Sequence, residues 1–373
     1  MLFSVLCILS IQYMPYMRGG LFWYTGMINY TFPYGLSLMV FVWIDKFLES
    51  GKRRYFVYLI SALSYMGGAG YLTVVLCFEV IFMVIVWKII TGNLLHKKRA
   101  LWLLVPWMLL IIGFIISACS PGNAVRGGDD YGFSIANILI TLKECLICGI
   151  RAIPDTFIRV RPLFLFVFMT MLITWELVDV EHCKLSFKYP IQVSVLLFLI
   201  SCSVYAPQIY ANDEVSGGVP DTIFWVFLIT MMLCLIYCTG AVKKKYIKKS
   251  QQKKWLKTEF LAPAIRTPFI ILTLLFCVVA GKYLVGNTTD YTCITFVLSG
   301  QLEDFEEQMQ ERLAILNDPN ITDVVLPEMN DEQGPFMHMP ITSDPNSYTN
   351  MATAFYYQKK SVIAIPREEY YKK

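Results

Sequence analysis

Apolar runs separated by short polar or basic stretches leave this chain few folds to adopt. A helix crosses the ~30 Å hydrocarbon core of a bilayer with about 20 apolar residues. Clear runs stand near 30–48, 71–92, 101–118, 162–179, 190–207, 222–242 and 265–286, with two shorter ones at 1–16 and 54–67. The stretch from Tyr55 to Ile90 is too long for one span. Met66-Gly67-Gly68-Ala69-Gly70 breaks it, and glycine is where a tight turn forms most easily. Composition points the same way. Of 373 residues, 56% are hydrophobic and 16% charged, and the mean hydropathy is +0.53. A soluble domain carries about a quarter charged residues. These values exclude a soluble globular enzyme, a disordered chain and a nucleic-acid-binding module. The expected fold class is an α-helical polytopic membrane protein of about nine transmembrane helices with a small α/β extracytoplasmic C-terminal domain.

The basic runs set the expected orientation. Lys and Arg of short loops stay on the cytoplasmic side. Lys52-Arg53-Arg54, Lys97-Lys98-Arg99 and the eight lysines between Lys243 and Lys257 are therefore expected inside. The loops at 17–30, 119–133, 208–221 and 287–373 are then outside, and the N-terminus is cytoplasmic. A span at 134–150 would turn the long lysine run outward. Residues 134–161 are therefore read as an outer-face interfacial segment, amphipathic or re-entrant, with Lys143 and Glu144 on an otherwise apolar helix. The transmembrane domain covers 1–286. Met1 opens directly into an apolar run with no basic n-region, unlike a cleaved signal peptide, so an upstream portion is expected to be missing.

From Asp290 the chain turns polar. Thr292–Leu298, Ile321–Leu326 and Ser361–Ile365 read as strands, and Gln301–Leu316 and Thr349–Gln358 as helices. The longer helix has Leu302, Phe305, Met309, Leu313 and Leu316 on one stripe and five acids on a solvated face. Most of the eleven cysteines lie in apolar runs, where a thiol behaves as a small hydrophobe. Cys145 and Cys148 have CxxC spacing without a second pair. His96, His182 and His338 lie far apart, so no metal site and no cofactor are expected.

Ionisable groups in or near a membrane are costly and mark function. Glu79 stands near the middle of 71–92. The first outer loop carries Trp23, Tyr24 and Tyr30, which suit a membrane–water interface. The second combines turn-formers, Asn123, Arg126, Asp129 and Asp130, a setting fit for phosphate oxygens. The third holds Arg151, Asp155, Arg159 and Arg161, against the positive-inside trend. An anionic headgroup or a phosphorylated ligand would compensate them. In the fourth, Asp213, Glu214 and Asp221 are candidate carboxylates, most of them expected to be simple surface acids. No nucleophilic triad, phosphate-binding P-loop or transporter-type repeat is visible.

Trp-Tyr-Thr-Gly-x-x-Asn-Tyr (Trp23–Tyr30), the glutamate-bearing hairpin, Ser-Pro-Gly-Asn-x-x-Arg (Ser120–Arg126) and the polar tail together resemble a family of bacterial multi-pass membrane proteins distantly similar to GT-C-type glycosyltransferases. The resemblance covers most of the chain. It implies transfer of a sugar from a polyprenyl-phosphate carrier to an extracytoplasmic glycan or lipid acceptor, with membrane lipids, the lipid-linked sugar and the acceptor glycan as partners and no nucleic acid. Under it, Asp129, Asp130 and Asp155 are the catalytic acid candidates, and Arg126, Arg159, Arg161 and Asn123 hold the carrier phosphate. Trp23, Tyr24 and Tyr30 line the sugar or lipid path. GT-C enzymes usually carry their acid in the first outer loop. Residues 17–30 contain no Asp or Glu, so that loop belongs to a missing upstream segment or the acid is lacking here. Two other readings stand beside it: a non-catalytic protein that binds or flips lipid-linked glycans, and a solute transporter using Glu79.

Overall fold

In the computed structural model the chain is overwhelmingly helical. The structure describes residues 2–123, 132, 134–183, 185–211, 217–252, 284–330, 337 and 339–372, with scattered positions between 267 and 281. Helix α1 is Leu2–Gln12, followed by α2 (Tyr24–Ser50), α3 (Arg53–Gly67), α4 (Tyr71–Thr91) and α5 (Leu94–Ala118). Then come α6 (Ile135–Arg159), α7 (Leu163–Leu177), α8 (Pro190–Ala211) and α9 (Val219–Gln252). Among the described residues five helices are long and apolar enough to cross a membrane: α2, α4, α5, α8 and the Val219–Lys248 part of α9. A sixth is counted if α6 and α7, bent by 101° at their junction, form one broken span.

Five or six of the nine expected spans are thus accounted for among the described residues. Helix α1 has 11 residues and α3 has 15, which is short for a ~30 Å core. Most of 265–286 lies outside the described residues. The expected span 162–179 is a 15-residue helix that passes only with its bent partner. Residues 134–161 hold one 25-residue amphipathic helix, capped by Ser134 and carrying Pro154 near its end.

Helix ends follow local chemistry. Gly51 stops α2 in the left-handed conformation (φ 68°), and its N–H bonds Phe47 O. Arg99 Nη1 then donates to Leu48 O and Glu49 O at 2.7 and 2.6 Å, placing a cation where the helix dipole is negative. Gly67 and Gly113 let α3 and α5 touch backbone to backbone, since a methyl at Gly67 would lie 2.8 Å from Gly113 Cα.

Two apolar cores hold the bundle. One joins α2–α5 around Val40, Leu59, Met66, Cys77, Ile81 and Leu110. The other joins α1, α7, α8 and α9 to α2 and α4 around Leu9, Tyr34, Leu163, Phe166 and Leu228. Exposed Ile, Leu, Val and Phe cover the outer faces, as lipid contact requires.

Beyond the bundle come α10 (Thr289–Leu298), α11 (Gln301–Asn317), β1 (Asp323–Pro327), α12 (Tyr348–Tyr356), β2 (Ser361–Ile365) and α13 (Arg367–Tyr370). Strands β1 and β2 are parallel, with Asp323 opposite Ser361. Leu316, Val324, Leu326, Ala354, Val362 and Ala364 form their own small core. The strand expected at Thr292–Leu298 is a helix. Its cap decides this: Thr288 Oγ1 accepts from Tyr291 N at 3.2 Å, outweighing the β-branched composition. The α11 stripe is also rotated. Gln308, Arg312 and Leu316 are its buried line, while Leu302, Phe305, Met309 and Leu313 are half-buried. Nor is its acidic face simply solvated, because Glu311 pairs with Arg367 at 2.7 Å.

Candidate functional site

The connecting segments gather at two opposite ends of the bundle. Tyr34, near the start of α2, bonds the carbonyl of Trp225, near the start of α9, at 3.2 Å. Both helices therefore leave the same end, and their basic C-terminal flanks reach the other. There, Lys243 Nζ bonds Val178 O at 2.7 Å and Lys244 Nζ bonds Ser186 O at 3.2 Å, tying the lysine run to the α7–α8 connection. In that connection His182 and Asp179 form an exposed pair at 2.8 Å. Hydrogen bonds from His182 and from the backbone of Glu181 lower the Asp179 carboxyl, and the carboxylate raises His182 above the usual imidazole range.

The opposite, loop-rich end brings together segments far apart in sequence. Residues Arg18–Phe22 and Met27–Thr31 wind as wide π-helical turns, a form often found at functional sites. Thr31 Oγ1 closes the loop on Gly20 O. Gly70 lies against the carbonyl of Asn29 and the ring of Tyr30. The next residue, Tyr71, accepts from Asn123 Nδ2 at 2.7 Å and contacts Ser117 Oγ at 3.1 Å. The two motif segments, Trp23–Tyr30 and Ser120–Asn123, thus meet across Gly70-Tyr71.

The start of α9 completes this end. Gly217 (φ 58°) and Gly218 approach so closely that a methyl on Gly218 would lie 2.8 Å from Tyr30 Cβ. They deliver Asp221 in the first turn of α9, where a carboxylate suits the helix dipole. Asp221 is fully buried. Its Oδ1 accepts from Tyr16 N at 2.7 Å. Its Oδ2 has no hydrogen-bond partner among the described residues and faces Gly20, where a methyl group would collide with it. Arg159, at the end of α6, lies within electrostatic reach of Asp221 and of Tyr205; Asp155 is within reach of Tyr205.

The expected site residues divide. Arg159 and Asp155 are exposed at the end of α6 beside Tyr205, and Arg161 follows in the α6–α7 bend, also exposed. Trp23 and Tyr30 are half-buried and pack on Gly217 and Gly218, whereas Tyr24 is 71% exposed. Asn123 is tied to Tyr71 and to Ser117 O. Arg126, Asp129 and Asp130 lie outside the described residues, as do Asp213 and Glu214. Of the three candidate carboxylates of the fourth loop, Asp221 is buried and not a surface acid. The available signal was Pro220: a proline just before an acid opens a helix, which puts Asp221 on a span and not in a loop.

Glu79 belongs to a separate place. It is half-buried between α4 and α8, and Ser203 Oγ donates to its Oε2 at 2.7 Å. Cys145 is within electrostatic reach, and Cys145, Cys148 and Cys202 are free thiols close to one another. Gly149 makes room for the Cys202 side chain. Among the described residues no group of His, Cys, Asp and Glu has the geometry to hold a metal ion. Compared with known families, curated proteins and solved structures, the chain has no match.

Proposed function

We propose that this chain is a membrane-embedded glycosyltransferase of the GT-C type, moving a sugar from a polyprenyl-phosphate carrier to an extracytoplasmic glycan or lipid acceptor at the loop-rich end. One observation carries the reading. The first loop has no acid of its own, yet Asp221 presents against Gly20 of that loop a carboxylate oxygen without a hydrogen-bond partner among the described residues, with Arg159 within electrostatic reach. A carboxylate beside a cation is what displacement at an anomeric carbon needs. The acceptor oxygen attacks that carbon, and the bond from carbon to the carrier-phosphate oxygen breaks. The hydroxyl proton passes to Asp221 Oδ2. The charge on the departing phosphate is met by Arg159, with Arg161 and Arg126 as further candidates from the same outer segments.

The lysine run at the opposite end supports an extracytoplasmic placement of this site through the positive-inside bias. The test is donor dependence in membranes containing the chain. Arg159→Ala should raise the KM for the lipid-linked sugar by about tenfold or more, with the chain still inserted and folded. An unchanged KM removes Arg159 from the site.

The Glu79–Ser203 contact favours a second reading, solute movement through the bundle. Proteoliposome uptake that depends on Glu79 and not on Asp221 would select it.

A further inference from the structure

The C-terminal unit carries a groove that the transfer site does not use. It has a volume of about 630 Å³ and runs between the end of α11 and the end of α12. Asn317, Pro319, Ile321 and Thr322 form one wall, and Tyr356, Tyr357 and Gln358 the other. The walls are fixed to each other. Lys359 Nζ reaches across to Asp318 O and to Ile321 O, the latter at 2.8 Å. Lys359 N bonds Ala354 O, and Lys360 N bonds Thr322 O, both at 2.8 Å. Such a groove is formed before any ligand arrives, which lowers the ordering cost of binding.

Its chemistry is specific. Tyr356 and Tyr357 stand edge to face with centroids 4.9 Å apart, and Tyr356 is 77% exposed. The amides of Asn317 and Gln358 are exposed beside them. Gln358 holds a left-handed backbone (φ 55°) at the end of α12, a position glycine fills at lower cost. The polar groups around it are held in place: Lys359 bonds carbonyls, Asp318 accepts from Asn320 N at 2.9 Å, and Lys360 pairs with Asp323 at 3.5 Å. Flat aromatic surface and planar amides fit a molecule with apolar C–H faces and hydroxyl edges.

We infer that this groove binds an oligosaccharide, with Tyr356 as the stacking platform and Asn317 and Gln358 as its hydrogen-bonding amides. Its role as the acceptor subsite rests on the transferase reading, whereas the binding itself does not. The experiment is saturation-transfer NMR on the full chain in phosphatidylcholine nanodiscs, with chitotetraose and maltotetraose as probes and empty nanodiscs as the control. Transfer to ring protons of at least one probe is expected, falling about fivefold in Tyr356→Ala and in Asn317→Ala. Gln358→Gly should weaken binding while leaving the unit as stable or more so, because it relieves the left-handed backbone. No transfer to either probe, or equal transfer in all variants, overturns the proposal. Binding without any sugar transfer from a polyprenyl-phosphate donor would sink the transferase reading and leave the groove standing. Transfer without binding would do the reverse.

Discussion

The carboxylate of Asp221 accepts a hydrogen bond from the backbone N–H of Tyr16 across 205 residues of sequence, at 2.7 Å. This contact joins the segment after the first helix to the first turn of α9. It places the acid beside a loop that has none. Burying a carboxylate with one oxygen unpartnered costs stability, and such costs are retained where a group has work to do.

Gly20 is the other half of that arrangement. Gly20→Ala should push Asp221 away and destabilise the bundle by about 1–3 kcal/mol, as overpacking does. Gly35→Ala is the control, since nothing lies within 4 Å of the added methyl. Thermal unfolding of the two variants in detergent should separate them clearly. Equal melting temperatures would show that Gly20 is not held against Asp221.

The Asp179–His182 pair predicts a pH window at the lysine end. The imidazole is raised by its partner, so its contribution is complete below about pH 6.5 and is lost as pH climbs through the higher folded value. The Asp179 carboxyl is depressed, so its contribution is present above about pH 3.9 and is lost as pH falls through the lower folded value. NMR titration of His182 should give a midpoint above that of free histidine, and Asp179→Asn should bring it down. A His182 midpoint indifferent to Asp179→Asn would count against the pair.

In the C-terminal unit, Arg367 Nη2 donates to Glu311 Oε2 at 2.7 Å, and Arg367 Nη1 donates to Gln308 Oε1 at 3.0 Å. Glu311→Gln should cost the unit about 1–3 kcal/mol, the scale of a charge-assisted bond. Hydrogen exchange at the β1 and β2 amides is the readout. Protection of Val324 to Leu326 unaffected by Glu311→Gln would show that this ion pair does not hold the small sheet.

Glu79 separates the two functional readings. Glu79→Gln keeps a partner for Ser203 and should leave sugar transfer within about threefold of wild type, because the contact is worth only ~0.6 kcal/mol between helices in lipid. Loss of transfer on that substitution would move the chemistry from the loop-rich end into the membrane.

The membrane class and several apolar helices were readable from the sequence because run length and hydropathy are local properties. So was Glu79, since an acid inside an apolar run is conspicuous alone. The span count was not. Helix α1 is apolar but short, α3 is short and amphipathic, and the 101° bend between α6 and α7 has no marker beyond Arg161-Pro162. The meeting of Trp23–Tyr30 with Asn123 goes through Gly70 and Tyr71, a contact that no spacing rule exposes. Asp221 was hidden by its neighbours. Pro220 signals the helix start, but Gly217 and Gly218 before it look like an ordinary surface turn, and only three-dimensional packing shows that the glycines let Tyr30 cover the acid's helix.

The central claim is that Asp221 is the base of a lipid-linked sugar transfer. The direct measurement is single-turnover transfer from a polyprenyl-phosphate-linked radiolabelled sugar by the purified full chain in proteoliposomes, wild type against Asp221→Asn. The account predicts measurable transfer by the wild type and a loss of about 100-fold or more in the variant, with its melting temperature retained. Equal transfer by a folded Asp221→Asn chain, or none by the wild type with any polyprenyl-phosphate sugar, would contradict it.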